Sequence, residues 1–142
     1  MSASGSTPAE GSRGEARLPT VLIVDDSRDA ADSLASLFGA HGYKTLVAYH
    51  WAAALETAKT DLPDIILLDL GMPEMDGLHL ARYFREDERL KDKVLIAVTG
   101  YADKMHRQQC EIAGFDCVLA KPVGWEELKA TITRLWAMHM KP

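Results

Sequence analysis

Asp64-Ile65-Ile66-Leu67-Leu68-Asp69-Leu70-Gly71-Met72-Pro73 decides how the rest of the chain reads. Four aliphatic residues run without alternation into Asp69, and a turn of glycine, methionine and proline follows at once. A half-exposed strand would alternate polar and apolar residues. An unbroken Ile/Leu run fits a strand covered on both faces, as in a parallel sheet. Asp69 then falls where the strand ends, at the rim where open α/β sheets place their chemistry.

The same pattern recurs on either side. Thr20-Val21-Leu22-Ile23-Val24 is a buried run ended by Asp25-Asp26. Ser27 starts a helix to about His41, with Ala30, Leu34, Leu37 and Phe38 on one face at helical spacing, and Gly42 stops it. Lys44 to Ala48 alternates more, as expected of a strand nearer an edge, and a short helix over about Trp51 to Thr60 leads back to Asp64. Downstream, Asp76-Gly77 opens a helix carrying Leu78, Ala81 and Phe84, and charged residues from Arg85 to Lys93 form its end and a polar loop. Val94 to Val98 is another unbroken apolar run, ended by Thr99-Gly100. Ala102 to Ala113 predicts a helix with Gly114 as its C-cap. Asp116 to Leu119 is a short strand that delivers Lys121-Pro122, and the last helix, about Trp125 to Met138, puts Leu128, Ile132, Leu135 and Trp136 on one face. Five strands alternating with five helices make an α/β fold, a βα repeat with right-handed crossovers.

The bulk properties narrow the function. A chain of 142 residues has room for one domain with a real core. Residues 1 to 17 are Ser, Gly, Ala, Glu and Pro without apolar period and predict a disordered leader, so the folded domain is expected over 18–142. No apolar run approaches the roughly 18 residues of a membrane helix, and no signal-peptide core is present, so the expected compartment is the cytoplasm. A net charge of −5 without a Lys/Arg cluster argues against nucleic acid and favours basic partners or a divalent cation. Cys110 and Cys117 match no metal or redox spacing and read as reduced structural thiols. The five histidines include no pair at ligand spacing, so no transition-metal site is expected.

The strand ends hold the chemistry. Asp25 and Asp26 follow the first strand, Asp69 ends the third, Thr99 the fourth and Lys121 the fifth. In a parallel sheet all of these share one edge. Taken singly, each has an ordinary reading: an Asp before a helix often only caps it, and a lone Lys is usually a solvated charge. Coincidence explains the whole set poorly. Three close carboxylates repel one another unless a cation sits among them, and hard oxygen ligands suit Mg²⁺. Such a site can take a phosphoryl group onto one carboxylate, with Lys121 and the Thr99 hydroxyl on the phosphoryl oxygens.

Val24-Asp25-Asp26, Leu68-Asp69 with Met72-Pro73 and Asp76-Gly77, Val98-Thr99-Gly100 and Lys121-Pro122 together resemble the receiver domain of two-component response regulators, over about Pro19 to Met138. The resemblance implies a flavodoxin-like, doubly wound five-stranded parallel sheet of order 2-1-3-4-5 with five helices. It implies Asp69 as the phospho-acceptor, charged by a phosphohistidine on a sensor histidine kinase or histidine phosphotransfer protein. Asp26 would bind Mg²⁺ (or Mn²⁺) directly and Asp25 through water, with Asp69 and the backbone carbonyl of Gly71 completing the protein ligands. Thr99 and Lys121 would contact the phosphoryl group, and the Lys121-Pro122 bond would be cis. Movement of Thr99 would shift an inactive–active equilibrium and remodel the face of helix four, strand five and helix five, where a protein partner reads it. Because few residues follow the last helix, the expected form is a stand-alone, chemotaxis-receiver-like signalling domain without an output domain. It would not be an enzyme beyond its own phosphotransfer and autodephosphorylation.

Four positions, Val118, Gly71, His50 and Trp51, depart from the pattern. Many receivers carry an aromatic where this chain has Val118, three residues before Lys121, so an aromatic rotamer switch is not available there. The signal would leave through backbone and loop shifts or through Tyr101, which is otherwise an exposed loop tyrosine or a control on water access. Gly71 offers no side chain to shield the phosphoryl group, and its replacement by Asn or Glu is expected to change the dephosphorylation rate. His50 and Trp51 read as a surface turn, with a partner contact as the alternative. Trp125, Trp136, Met138 and Met140 read mainly as packing, with any surplus available as an interaction or homodimer face. Two other functions compete. A haloacid-dehalogenase-type phosphatase needs a second Asp where Gly71 stands, and an unphosphorylated interaction module would not require the intact five-residue set.

Overall fold

The aliphatic runs become the middle of a sheet. In the computed structural model, which describes residues 17–72 and 76–140, ten elements alternate. They are β1 (Val21–Val24), α1 (Arg28–Ala40), β2 (Thr45–Ala48), α2 (Trp51–Asp61), β3 (Ile65–Asp69), α3 (Gly77–Glu86), β4 (Val94–Thr99), α4 (Lys104–Ala113), β5 (Cys117–Ala120) and α5 (Trp125–His139). Every strand pairing is parallel, and the order is β2-β1-β3-β4-β5. The flavodoxin-like sheet is therefore the one that the receiver resemblance implies. β1 and β3, flanked by strands and covered on both faces, are buried at every residue. β2 lies at an edge and buries only Ala48 fully, which accounts for its weaker, alternating pattern.

Alternate strand residues feed two cores, because successive side chains leave opposite faces of a sheet. Leu22, Val24, Ile66, Leu68 and Leu95 meet Ala54 and Ala58 of α2, Phe84 of α3 and Cys110 of α4. Val21, Ile23, Ile65, Leu67 and Ile96 meet Ala31 and Phe38 of α1 and Leu128, Ile132 and Trp136 of α5. The cysteines are divided between these layers, Cys110 in the first and Cys117 against the second, and both are free thiols.

Local boundaries differ from expectation where a side chain intervenes. Ser27 caps α1 as predicted, its Oγ accepting the Ala30 N–H at 3.3 Å. The inward face of α1, however, is Ala31, Leu34, Ala35 and Phe38, while Ala30 and Leu37 are exposed. Both sets have helical spacing, so the sequence alone did not decide which one met the sheet. α4 begins at Lys104 rather than Ala102, because the Asp103 carboxylate takes the N-cap and accepts the His106 N–H at 2.9 Å. Gly114 ends α4 with φ 116°, as expected. Arg17, expected in the leader, is instead tied down. It pairs with Asp64 at 3.0 Å, lies 5.0 Å from the Trp136 ring centre, and its carbonyl accepts the Trp136 Nε1–H at 3.2 Å. The remainder of the expected leader, residues 1–16, lies outside the described residues, as does Pro73 of the opening stretch.

Candidate functional site

The sheet register staggers the strand ends so that they fan along one rim. Val24 pairs with Leu68, which brings Asp25 out beside Asp69. Asp69 pairs with Val98, so Thr99 falls one step beyond it. Thr99 pairs with Ala120, which puts Lys121 a further step on.

Asp69 is the buried centre of this rim, 7% exposed. Its Oδ1 accepts from the Lys121 ammonium at 2.8 Å and from the Gly71 N–H at 2.8 Å. One oxygen each from Asp25, Asp26 and Asp69 lies within 4.8 Å of the others. Asp25 Oδ1 accepts the Ser27 N–H at 3.0 Å, so the first turn of α1 helps to hold it. Burial raises the Asp25 carboxyl above its ordinary range. The Ser27 N–H opposes that shift, and the neighbouring Asp69 adds to it. Three hard oxygen donors facing one ammonium leave negative charge uncompensated, a donor set that fits a small divalent cation such as Mg²⁺.

Thr99 is buried, its Oγ1 accepts the Tyr101 N–H at 3.0 Å, and its carbonyl accepts the Lys121 N–H at 2.9 Å. The Lys121-Pro122 peptide is cis. Gly71 lies close against the acid: a Cβ there would stand 3.3 Å from Asp69 Oδ1 and 3.5 Å from Lys121 Nζ. Tyr101 is 72% exposed and its ring lies 5.8 Å from that of His106. Val118 is buried in the core layer shared with α2, α3 and α4. His50 caps α2 through Nδ1, which accepts the Ala52 N–H at 3.2 Å, and Trp51 is partly exposed at the first position of that helix.

Two features at or beside the rim carried no sequence signal. Leu37 is exposed because it lines a groove between α1 and α5 with Leu34, Val123 and Leu128, and that groove reaches Asp25. Arg107 of α4 donates through Nε to the Ala102 carbonyl at 2.7 Å and through Nη1 to the Val118 carbonyl at 3.0 Å. An arginine one turn into a helix is ordinary composition, and nothing in its neighbours announces a bridge to another strand.

Fold and rim together define a class: a doubly wound α/β domain with an acidic cluster and a lysine at the carboxyl edge of its sheet. The profile of the response regulator receiver domain matches residues 21–133, and the chain belongs to that family. It is 31% identical over 113 residues to the polar-differentiation response regulator DivK of Brucella ovis, a match spanning 80% of this chain and 92% of that one. Among solved structures it resembles the chemotaxis response regulator CheY4 of Vibrio cholerae, with a TM-score of 0.78, 26% identity, and coverage of 84% of this chain and 99% of that one. A CheY-like receiver domain protein of Methanospirillum hungatei superposes with a TM-score of 0.79 at 26% identity, covering 87% of this chain and 97% of that one. No helix among the described residues is long and apolar enough to cross a membrane.

Proposed function

We propose that Asp69 accepts a phosphoryl group from a phosphohistidine of a sensor histidine kinase or histidine phosphotransfer protein, with Mg²⁺ (or Mn²⁺) held by Asp25, Asp26, Asp69 and the Gly71 carbonyl. The observation that carries this reading is the convergence on Asp69: two further carboxylates within 4.8 Å and an ammonium at 2.8 Å. A metal in that cluster supplies positive charge against the phosphoryl oxygens. A carboxylate oxygen of Asp69 forms the new O–P bond as the N–P bond breaks in a donor ring that already carries a proton on its other nitrogen, so the imidazole leaves neutral. Lys121 turns from Asp69 Oδ1 to a phosphoryl oxygen, and the Thr99 hydroxyl donates to another. The groove from Leu37 to Asp25 offers the donor protein apolar contact beside the acid. Water later cleaves the acyl phosphate, which is the only turnover this site needs.

The signal goes to a protein partner through the face of α4, β5 and α5, from which Arg107 of α4 reaches the Val118 carbonyl of β5. The receiver is proposed to act by protein contact in the cytoplasm; its relatives include response regulators named for polar differentiation and for chemotaxis. The receiver unit is taken as 18–142 with Arg17 added, since that residue is bound into the fold.

Incubation with acetyl phosphate and Mg²⁺, followed by intact mass, tests the reading. One added phosphoryl group is expected, absent in Asp69→Asn and after chelation. An unmodified wild-type chain would overturn it.

A further inference from the structure

We propose that Arg107 is a positioning residue, a strut that couples the loop behind Thr99 to β5. The inference rests on the reading of Asp69 as phospho-acceptor.

β5 is an edge strand. The Lys121 N–H points inward to the Thr99 carbonyl. Because backbone groups alternate sides along a strand, Leu119 faces inward with Lys121, and Val118 presents its carbonyl outward. Arg107 takes up that outward carbonyl with Nη1 and the Ala102 carbonyl with Nε. Both nitrogens belong to one planar guanidinium, so the two carbonyls are held at a fixed separation.

Ala102 belongs to the short loop between Thr99 and the Asp103 cap of α4. Its neighbour Tyr101 donates its N–H to Thr99 Oγ1. When the Thr99 hydroxyl turns toward a phosphoryl oxygen, that N–H loses its acceptor and the loop is free to shift. A shift of Ala102 then either breaks one Arg107 bond or carries Val118 along. The Val118 side chain is packed in the core and has no ring to swing. The strut instead acts on the backbone carbonyl of that same residue, which gives the signal a route to the α4–β5–α5 face without a rotamer switch.

The alternative is that Arg107 only satisfies an edge carbonyl, in which case its loss would affect the free and the phosphorylated protein alike. The test uses the full chain with Mg²⁺ and excess acetyl phosphate. Intact mass reads the adduct, and backbone amide NMR shifts read residues 100–107 and 117–121. In the wild type, phosphorylation is expected to move both segments. Arg107→Met keeps the stem without donors, and Arg107→Lys keeps the charge without the fork. In Arg107→Met the adduct should still form and the amides of 100–103 should still move, while the response at Val118 and Leu119 falls at least threefold. Arg107→Lys should be intermediate, and it decides alone if the Met variant does not fold.

An undiminished β5 response in the variants overturns the strut. So does a wild-type adduct with no β5 response at all. A wild type that forms no adduct overturns the reading of Asp69 and the strut with it, so the two failures are distinguishable.

Discussion

Gly71 decides what stands over Asp69. Its N–H holds Asp69 Oδ1, and a Cβ added to it would stand 3.3 Å from that oxygen and 3.5 Å from Lys121 Nζ, which are themselves paired at 2.8 Å. Water reaching an acyl phosphate on Asp69 from the Gly71 side would pass over this small residue. A branched apolar side chain there meets both polar atoms and excludes water, whereas a polar one can orient it. Gly71→Val is therefore expected to lengthen the acyl-phosphate lifetime about threefold to tenfold, equivalent to about 0.7–1.4 kcal/mol of barrier. Phosphate release after removal of acetyl phosphate checks this, at matched initial adduct. An unchanged or shorter lifetime would show that water arrives by another path. Asp69 itself was legible in the sequence, because an acid at the end of an unbroken aliphatic run has few structural reasons to be there. The Gly71 N–H bond was not, since the sequence pointed only to its carbonyl. Backbone donors leave no trace in residue identity.

Arg85 shows how elements are fastened at the opposite rim. Its Nε donates to the Gly114 carbonyl at 2.8 Å, and Nη1 donates to the carbonyls of Lys91 at 2.8 Å and Lys93 at 2.6 Å. Nη2 pairs with Asp116 Oδ2 at 2.9 Å, the same oxygen that accepts the Leu95 N–H at 2.9 Å. One side chain of α3 thus ties the entry of β4 to the turn between α4 and β5. Gly114 is locked beneath it: φ is 116°, and a Cβ would stand 2.7 Å from Arg85 Cγ. Gly114→Ala should cost about 2–3 kcal/mol, from backbone strain together with the clash. Arg85→Ala should cost about 2–3 kcal/mol, from lost charge-assisted bonds and unpaired carbonyls. The double variant should lose less than the sum, because removing the Arg85 side chain opens the space that the added methyl group needs. Urea unfolding of the three variants checks this, and strict additivity would mean that the two residues do not press on each other. The elements were legible because apolar runs and caps are local signals. The Arg85 anchor, the Arg107 bridge and the inward face of α1 were not, since each depends on where distant backbone is brought by folding.

For the molecule as a whole, the acidic rim links stability to pH and to metal. The Asp25 carboxyl is raised above its ordinary 3.8 in the folded state, mainly by burial. Between 3.8 and that raised value the Asp25 site binds more protons in the native chain than in the unfolded one. The Asp25 contribution to stability therefore falls as pH rises through this window and stays low at neutrality. Asp103 has the opposite sign: the His106 N–H lowers its carboxyl, so its contribution is present above 3.8 and is lost as pH falls through the lowered value. At neutral pH and without metal, Asp25→Asn should then melt higher than the wild type, the gain being reduced by solvent screening at this partly exposed site. Mg²⁺ should invert that order. A cation bound only by the native state adds about 2.7 kcal/mol at a hundredfold excess over Kd, on the order of 10 °C in a domain of this size. Asp25→Asn, missing one carboxylate, should gain much less. Thermal melts in EDTA and in Mg²⁺ read both halves of the prediction. If Asp25→Asn melts lower than the wild type in EDTA as well, then Asp25 serves the fold through its bond to the Ser27 N–H, and the rim imposes no cost for a metal to relieve.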